Sequence, residues 1–196
     1  MGSHHRIASL CKIGGYCAFI AGICYSMIVC CAFLSPASIA SYVTSEQYFK
    51  DFEGYRNIFI FLKGLMIIAN SAFVGVVLAF HSLVRPENYG KMTFFSVLAI
   101  IGLGVGVFQS VLDMTMVPYL ADQYAIGSDI VKEVIIAIGV ANPALYIISL
   151  GFPGVWFILV SLMALSNKSI PRLLVLLGFM WGVGNIVTVI AHLFVI

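Results

Sequence analysis

The chain has 196 residues, of which 62% are hydrophobic and only 9% are Asp, Glu, Lys or Arg. Soluble domains carry about 25% charged residues, so this composition excludes an ordinary soluble domain and indicates a multi-pass membrane protein. The net charge of +2, with no basic run, argues against nucleic acid as a partner. We therefore predict an all-α bundle that forms a single transmembrane domain over residues 1–196, with the lipid bilayer as its main partner.

Five apolar stretches are long enough to cross a bilayer, which takes about 20 helical residues. We predict membrane spans at about 7–34, 56–84, 92–119, 143–165 and 173–195, and short interfacial helices at about 45–52 and 129–140. All five cysteines lie in the first span without a CxxC pair, so we interpret them as packing residues.

The apolar stretch from about Val134 to Leu165 is too long for one straight crossing, and it contains Pro143 and Pro153. Two structures fit this pattern. One is a long helix kinked at proline, and the other is an interfacial segment followed by a span that begins at Pro143. The sequence leaves both open.

The basic residues near the ends of the spans are unevenly divided between the two sides of the membrane. One side has Arg6, Lys12, Arg85, Lys91, Lys168 and Arg172, and the other has Lys50, Arg56 and Lys132. Because the side with more Lys and Arg is usually cytoplasmic, we predict the N-terminus inside and the C-terminus outside.

Two polar residues interrupt the third span. Gln109 and Asp113 are four residues apart and share a helix face with Gly106. An ionisable residue inside a span needs a partner and by default indicates a functional site. At 1.5 Å per residue, Lys63 lies about 10 Å inside the second span, and Asp113 lies about 7 Å from the same side. We therefore predict an ion pair between them.

Further polar residues are predicted either on the same helix faces as Lys63 and Asp113 or at a similar depth in the membrane. Asn70 shares a face with Lys63, Asn142 precedes Pro143 on a stripe with Tyr146, and the last span carries Asn185 and His192. We predict that they converge on an outward-facing polar pocket. The candidate ligand-binding residues are Lys63, Asn70, Gln109, Asp113, Asn142, Asn185 and His192.

The sequence contains no HExxH zinc helix, GxSxG elbow or P-loop, so no catalytic residue, metal site or cofactor is predicted. Three functions stay open. The pocket binds or passes a small polar molecule, an ion or a lipid headgroup. Alternatively, the polar layer is structural, and the small-residue stripes Gly14/Ala18/Gly22 and Gly178/Gly182 dock a partner helix or a second copy, as in a non-catalytic subunit or assembly factor. The least favoured function is a membrane enzyme that uses Asp113 and His192 at the outer interface.

The C-terminal quarter has a recognisable pattern: a Gly/Trp/Phe-rich helix, a short polar turn with Lys and then Pro-Arg, and a Gly-bearing final helix. This segment reads GFPGVWFILVSLMALSNKSIPRLLVLLGFMWGVGNIV. It resembles the closing helical hairpin of a family of small bacterial multi-pass proteins known only as a domain of unknown function. The opening RIASLCKIGGYCAFIAGICYS is more weakly similar. The resemblance implies a location in the bacterial inner membrane, and it implies no activity and no site residues.

Overall fold

The computed structural model describes residues 2–36, 39, 45–83, 89–140, 143–165 and 170–194. These residues form six helices and no strand: α1 (Gly2–Leu34), α2 (Glu46–Leu83), α3 (Tyr89–Ile126), α4 (Asp129–Val140), α5 (Pro143–Ala164) and α6 (Arg172–Phe194). All except α4 are long and apolar enough to cross a membrane. The prediction of an all-helical chain with five span-length helices is confirmed, and these helices indicate a multi-pass membrane protein.

Helix α2 is continuous over a region where the sequence predicts a short interfacial helix at 45–52 and a separate span at 56–84. It begins at Glu46, where the Ser45 hydroxyl accepts a hydrogen bond from the Tyr48 N–H at 3.2 Å. Phe52 and Phe59 then bury one face of the helix against the end of α3. Because this packing continues through Gly54, the glycine does not end the helix, and the two predicted segments form one helix of 38 residues.

Helix α3 also differs from its predicted span at 92–119, because it continues through Pro118 to Ile126. A proline inside a helix removes one backbone hydrogen bond and usually ends or kinks the helix. Here Ala121 and Tyr124 beyond the proline are buried against Phe49 and Phe52 of α2. The tertiary contacts therefore hold two further helical turns that local propensity does not favour.

The long apolar stretch from about 134 to 165 forms parts of two helices, α4 and α5. Helix α4 ends at Val140 and helix α5 begins at Pro143. Residues 141 and 142, on which the choice between the two alternatives depends, lie outside the described part. Ile135 of α4 is buried in the cluster that α2 and α3 form at this end of the bundle. Helix α4 therefore packs on the projecting ends of α2 and α3.

The span-length helices pack mainly on their neighbours in the sequence. Helix α1 packs on α2, α2 on α3, α3 on α5 and α5 on α6, so α3 occupies a central position. One aromatic contact also joins the first and last helices, since the Tyr25 and Trp181 rings meet edge to face with centroids 5.5 Å apart. Helix α3 therefore carries its polar residues between α2 and α5.

Both predicted small-residue stripes make contacts within the chain. A Cβ added to Gly14 would collide with the side chain of Ala79 on α2, and one added to Gly182 would lie 2.8 Å from the carbonyl oxygen of Gly154 on α5. Glycine at these two positions lets the helices approach closely. Helix α5 thus packs against the Gly178/Gly182 stripe. On α1, by contrast, a Cβ added to Gly22 would have no atom within 4 Å.

Candidate functional site

The predicted ion pair is present in the structure. The Lys63 Nζ atom of α2 lies 2.6 Å from Oδ2 of Asp113 on α3. Lys63 is 1% exposed and Asp113 is 6% exposed. Removal of either charge from water is costly, so their mutual attraction is what permits both to be buried at this level of the bundle.

Tyr146 of α5 completes the ion pair. Its hydroxyl accepts a hydrogen bond from Lys63 Nζ at 3.1 Å and donates one to Asp113 Oδ2 at 3.2 Å. The Lys63 ammonium also lies 5.2 Å from the centroid of the Phe59 ring, within the range of a cation–π interaction. The sequence places Tyr146 on a polar stripe but not among the candidate ligand-binding residues. We call the three residues Lys63, Asp113 and Tyr146 the charged layer.

A second polar contact lies two helical turns further along the bundle. The Tyr25 hydroxyl of α1 donates a hydrogen bond to Asn70 Oδ1 of α2 at 3.0 Å. On α3, a Cβ added to Gly106 would lie 2.9 Å from Asn70 Nδ2. Asn70 follows Lys63 by seven residues and Gly106 precedes Asp113 by seven, so this contact lies about 10 Å from the charged layer. We call Tyr25 and Asn70 the amide layer.

Gln109 lies between the two layers and is unpaired among the described residues. It follows Gly106 by three residues and precedes Asp113 by four, so it shares the buried face of α3. It is 2% exposed, and neither its Nε2 nor its Oε1 has a hydrogen-bond partner in the part of the chain that the structure describes. An unsatisfied buried amide costs about 1–3 kcal/mol, and native proteins contain few of them.

The other candidate residues do not all join this region. Asn185 of α6 was predicted to converge on it, but its Nδ2 donates to the Trp181 carbonyl of its own helix at 3.2 Å, and its Cβ faces Gly154 of α5. A polar side chain in a span can thus be satisfied by the preceding helical turn. Asn142 and the side chain of His192 lie outside the described part of the chain. The structure therefore brings together Lys63 and Asp113, with Gln109 one turn and Asn70 two turns away along their helices.

Tyr25, like Tyr146, is a site residue that is absent from the candidates predicted from the sequence. It is the only hydrogen-bonding side chain from α1 in the two layers as described. A tyrosine well inside an apolar helix, away from the membrane interface, usually has a hydrogen-bond partner when buried. That general rule is the one signal that could have identified it.

Aromatic side chains enclose the charged layer on the side of Arg56. Phe52 and Phe59 are buried, and their rings meet edge to face with centroids 5.2 Å apart. On α2, Phe52 lies three helical turns before Lys63 and Phe59 lies one turn before it. Between them on α2, the Arg56 guanidinium forms ion pairs with Glu53 and with Asp122 of α3. The ion pair of the charged layer is therefore separated from the end of the bundle by packed rings and a second, more exposed ion pair.

Residues 20–196 match the model of a protein family described as a domain of unknown function, DUF4386. The chain belongs to this family. The DUF4386 match includes α2 to α6 and Tyr25, and hence every residue of both polar layers. Comparisons with curated proteins and with solved structures found no match.

Membership of the DUF4386 family assigns no activity, so function has to be argued from the site. Among the described residues, no group of three or more His, Cys, Asp and Glu side chains is placed to hold a metal ion. What the site offers is an internally neutralised ion pair, a tyrosine hydroxyl and an unpaired carboxamide. All of these groups are capable of hydrogen bonding.

Proposed function

We propose that this protein binds a small polar molecule at an intramembrane site formed by α2, α3 and α5, beside the charged layer. The observation that carries the proposal is Gln109, whose buried amide lacks a hydrogen-bond partner among the described residues. A bound molecule that forms hydrogen bonds with this amide would offset its desolvation cost. The site either binds that molecule or lets it pass across the membrane.

A purely structural polar network is the main competing explanation. Such a network stabilises the bundle through its hydrogen bonds, as Tyr146 does by bonding to both Lys63 and Asp113. The Gln109 amide forms no hydrogen bond with any other described residue, so it does not stabilise the bundle in this way. An apolar residue at this position would pack equally well without the desolvation cost, and this favours a ligand as the partner of Gln109.

The charge distribution supports one orientation of the protein in the membrane. We propose that it lies in a bacterial inner membrane with its N-terminus in the cytoplasm and its C-terminus outside, since the side with Arg6, Lys12 and Arg172 is richer in basic residues. The charged layer then lies in the outer half of the membrane. The aromatic rings around Phe52 and Phe59 lie between the charged layer and the outside, so entry from that side requires them to move.

Thermal unfolding in detergent micelles tests the proposed binding. The probes are a panel of small neutral solutes, inorganic ions and soluble phospholipid headgroups, each added at the same concentration to the wild type and to a Lys63→Met/Asp113→Leu double variant. Replacing a buried ion pair by apolar residues of similar volume often preserves stability, so the double variant keeps the fold while it loses the charges. We expect at least one probe to raise the Tm of the wild type but not that of the double variant. If no probe in the panel raises the wild-type Tm, the proposal is wrong.

Helix α1 supports a second candidate function, docking of another membrane protein. Ala18 and Gly22 are exposed on α1, and the position of Gly22 is open on its outer face, although Gly14 of the same stripe packs on α2. A subunit or assembly factor would use this surface for a partner helix or a second copy. Purification from native membranes should then yield a partner in fixed proportion, and Gly22→Leu should release it. Recovery of the protein as a monomer would exclude this function.

A further inference from the structure

We infer that the ligand of this site is a neutral molecule that both donates and accepts hydrogen bonds, such as a primary amide, a urea or an alcohol, and is not an ion. The inference rests on the proposed binding function and specifies its substrate class. It depends on the charge balance of the site and on the chemistry of the Gln109 side chain.

The charge balance disfavours an ion. Lys63 and Asp113 carry opposite charges at 2.6 Å, so together they present no net charge to a ligand. The nearest further charges lie beyond the Phe59 ring, where Arg56 pairs with both Glu53 and Asp122. The side chains of these two acids are 76% and 55% exposed, so water screens the net negative charge of that cluster. An added cation or anion would be a single uncompensated charge in a low-dielectric environment, which is far more costly than a buried hydrogen-bonding group.

The unpaired group also selects against an ion. The Gln109 carboxamide has two N–H donors and one carbonyl acceptor, and both of its polar atoms lack partners among the described residues. A metal cation would satisfy only Oε1, and a carboxylate would satisfy only Nε2. A molecule with a donor beside an acceptor satisfies both ends at once, as two amides do when they pair.

The neighbouring backbone restricts the size of the ligand. Gly106 lies one turn from Gln109, and a Cβ there would come within 2.9 Å of Asn70 Nδ2 and 3.5 Å of Ser149 Cβ. Helices α2 and α5 therefore approach α3 closely on the amide-layer side of Gln109. The charged layer lies on the opposite side of Gln109. About two helical turns, or roughly 10 Å along the axis, separate Gly106 from Asp113. A ligand between the two layers is therefore limited to about this length, which corresponds to a molecule of a few non-hydrogen atoms.

The test compares three probes of similar size on the wild-type protein: acetamide, sodium acetate and methylammonium chloride. Thermal unfolding in detergent is measured over the same concentration series for each probe, with sodium chloride as the ionic control. We expect acetamide to raise the Tm in a saturable manner and the two charged probes to have no more effect than sodium chloride. If a charged probe raises the Tm and acetamide does not, the inference is wrong while the proposed binding function stands. If acetamide fails and no member of the wider panel binds, both are wrong.

A matched pair of variants places the acetamide effect at Gln109. Gln109→Met should abolish the acetamide-induced rise, and it should also raise the Tm of the ligand-free protein, because it removes an unsatisfied buried amide. Phe108→Leu changes the adjacent, exposed side chain on the same helix and should leave the acetamide response intact. A Gln109→Met variant that is less stable than the wild type, or that still responds to acetamide, would contradict the assignment. If that variant does not fold, the comparison of probes on the wild type still decides the inference.

Discussion

Lys63 and Asp113 are 50 residues apart in the sequence, and their charged atoms lie 2.6 Å apart between two neighbouring helices of the bundle. The interaction is direct, and the Tyr146 hydroxyl bonds to both partners. Because each residue is almost fully buried, neither charge has water as a substitute partner. Loss of one charge is therefore expected to destabilise this part of the bundle, whereas loss of both is not.

The first prediction concerns that dependence. Lys63→Met and Asp113→Leu, each made alone, should lower the free energy of unfolding by about 3–5 kcal/mol, because each leaves one buried charge unpaired. The double variant should recover most of that loss. Reversible unfolding in mixed micelles measures all four proteins of the cycle. Additive losses in the double variant would show that the two side chains do not interact.

The more exposed ion pair provides the control for this cycle. The Arg56 and Asp122 side chains are 26% and 55% exposed, so water can replace either partner. Asp122→Asn should therefore change the free energy of unfolding by less than about 1 kcal/mol. A loss as large as that of Asp113→Leu would mean that burial does not determine the difference between the two pairs.

A second prediction tests the close approach of α5 and α6. Gly182→Ala places a methyl group 2.8 Å from the Gly154 carbonyl oxygen and 2.9 Å from the Ile158 nitrogen, and these backbone atoms cannot move aside as a flexible side chain could. Overpacking of this kind costs about 1–3 kcal/mol. Thermal unfolding should show a lower Tm for this variant.

Gly184→Ala is the matched control, since a Cβ at this position of the same helix has no atom within 4 Å. Alanine favours a helix over glycine by about 1 kcal/mol, so this variant should be as stable as the wild type or slightly more stable. Equal losses from both substitutions would indicate that α6 does not pack on α5 through Gly182.

A third prediction distinguishes the two tryptophans. Trp156 is 1% exposed and its indole N–H donates to the Ser96 hydroxyl at 3.3 Å, whereas Trp181 is 48% exposed on α6. Lipids brominated on their acyl chains quench only indoles that they can approach. In proteoliposomes, the Trp156→Phe variant, which retains Trp181, should be strongly quenched. The Trp181→Phe variant should be quenched weakly, and the reverse order would place α5 at the lipid-facing surface.

A fourth prediction concerns the orientation of the chain. The five cysteines of α1 are first replaced by alanine, and then Ser128→Cys and Ile170→Cys are introduced separately at opposite ends of the bundle. A membrane-impermeant maleimide should label Ser128→Cys in intact bacterial cells, and it should label Ile170→Cys only after permeabilisation. Labelling in the opposite order would invert the proposed orientation and would place the charged layer in the inner half of the membrane.

The pairing of Lys63 with Asp113 was predictable from the sequence because the physics leaves few alternatives. The helical rise fixes the depth of each residue once the span ends are known, and a buried charge requires a partner of opposite sign. Tyr146 and Tyr25 were not predicted as site residues, because a tyrosine in a span is more often found at the interface than in the interior. Their role depends on how α5 and α1 are rotated about their axes, which apolar helix surfaces do not reveal.

The ends of α2 and α3 show where local sequence signals are insufficient. Gly54 and Pro118 both indicate a break, yet both lie within continuous helices. Packing between Phe49 and Tyr124, whose rings stack at 4.7 Å, stabilises helical turns that the local sequence alone would not. Asn185 shows the converse, because its hydrogen bond within α6 satisfies an amide that the sequence suggested would face the other helices.

The packing of each span-length helix on the preceding one bears on how the protein is made. As the chain leaves the ribosome, each span after the first finds an earlier span on which it packs already in place. The charge of Lys63 is neutralised as soon as the next span arrives with Asp113, and Tyr146 joins one span later. The contact between Tyr25 and Trp181 can form only after the last helix has been inserted, so it marks a completed bundle.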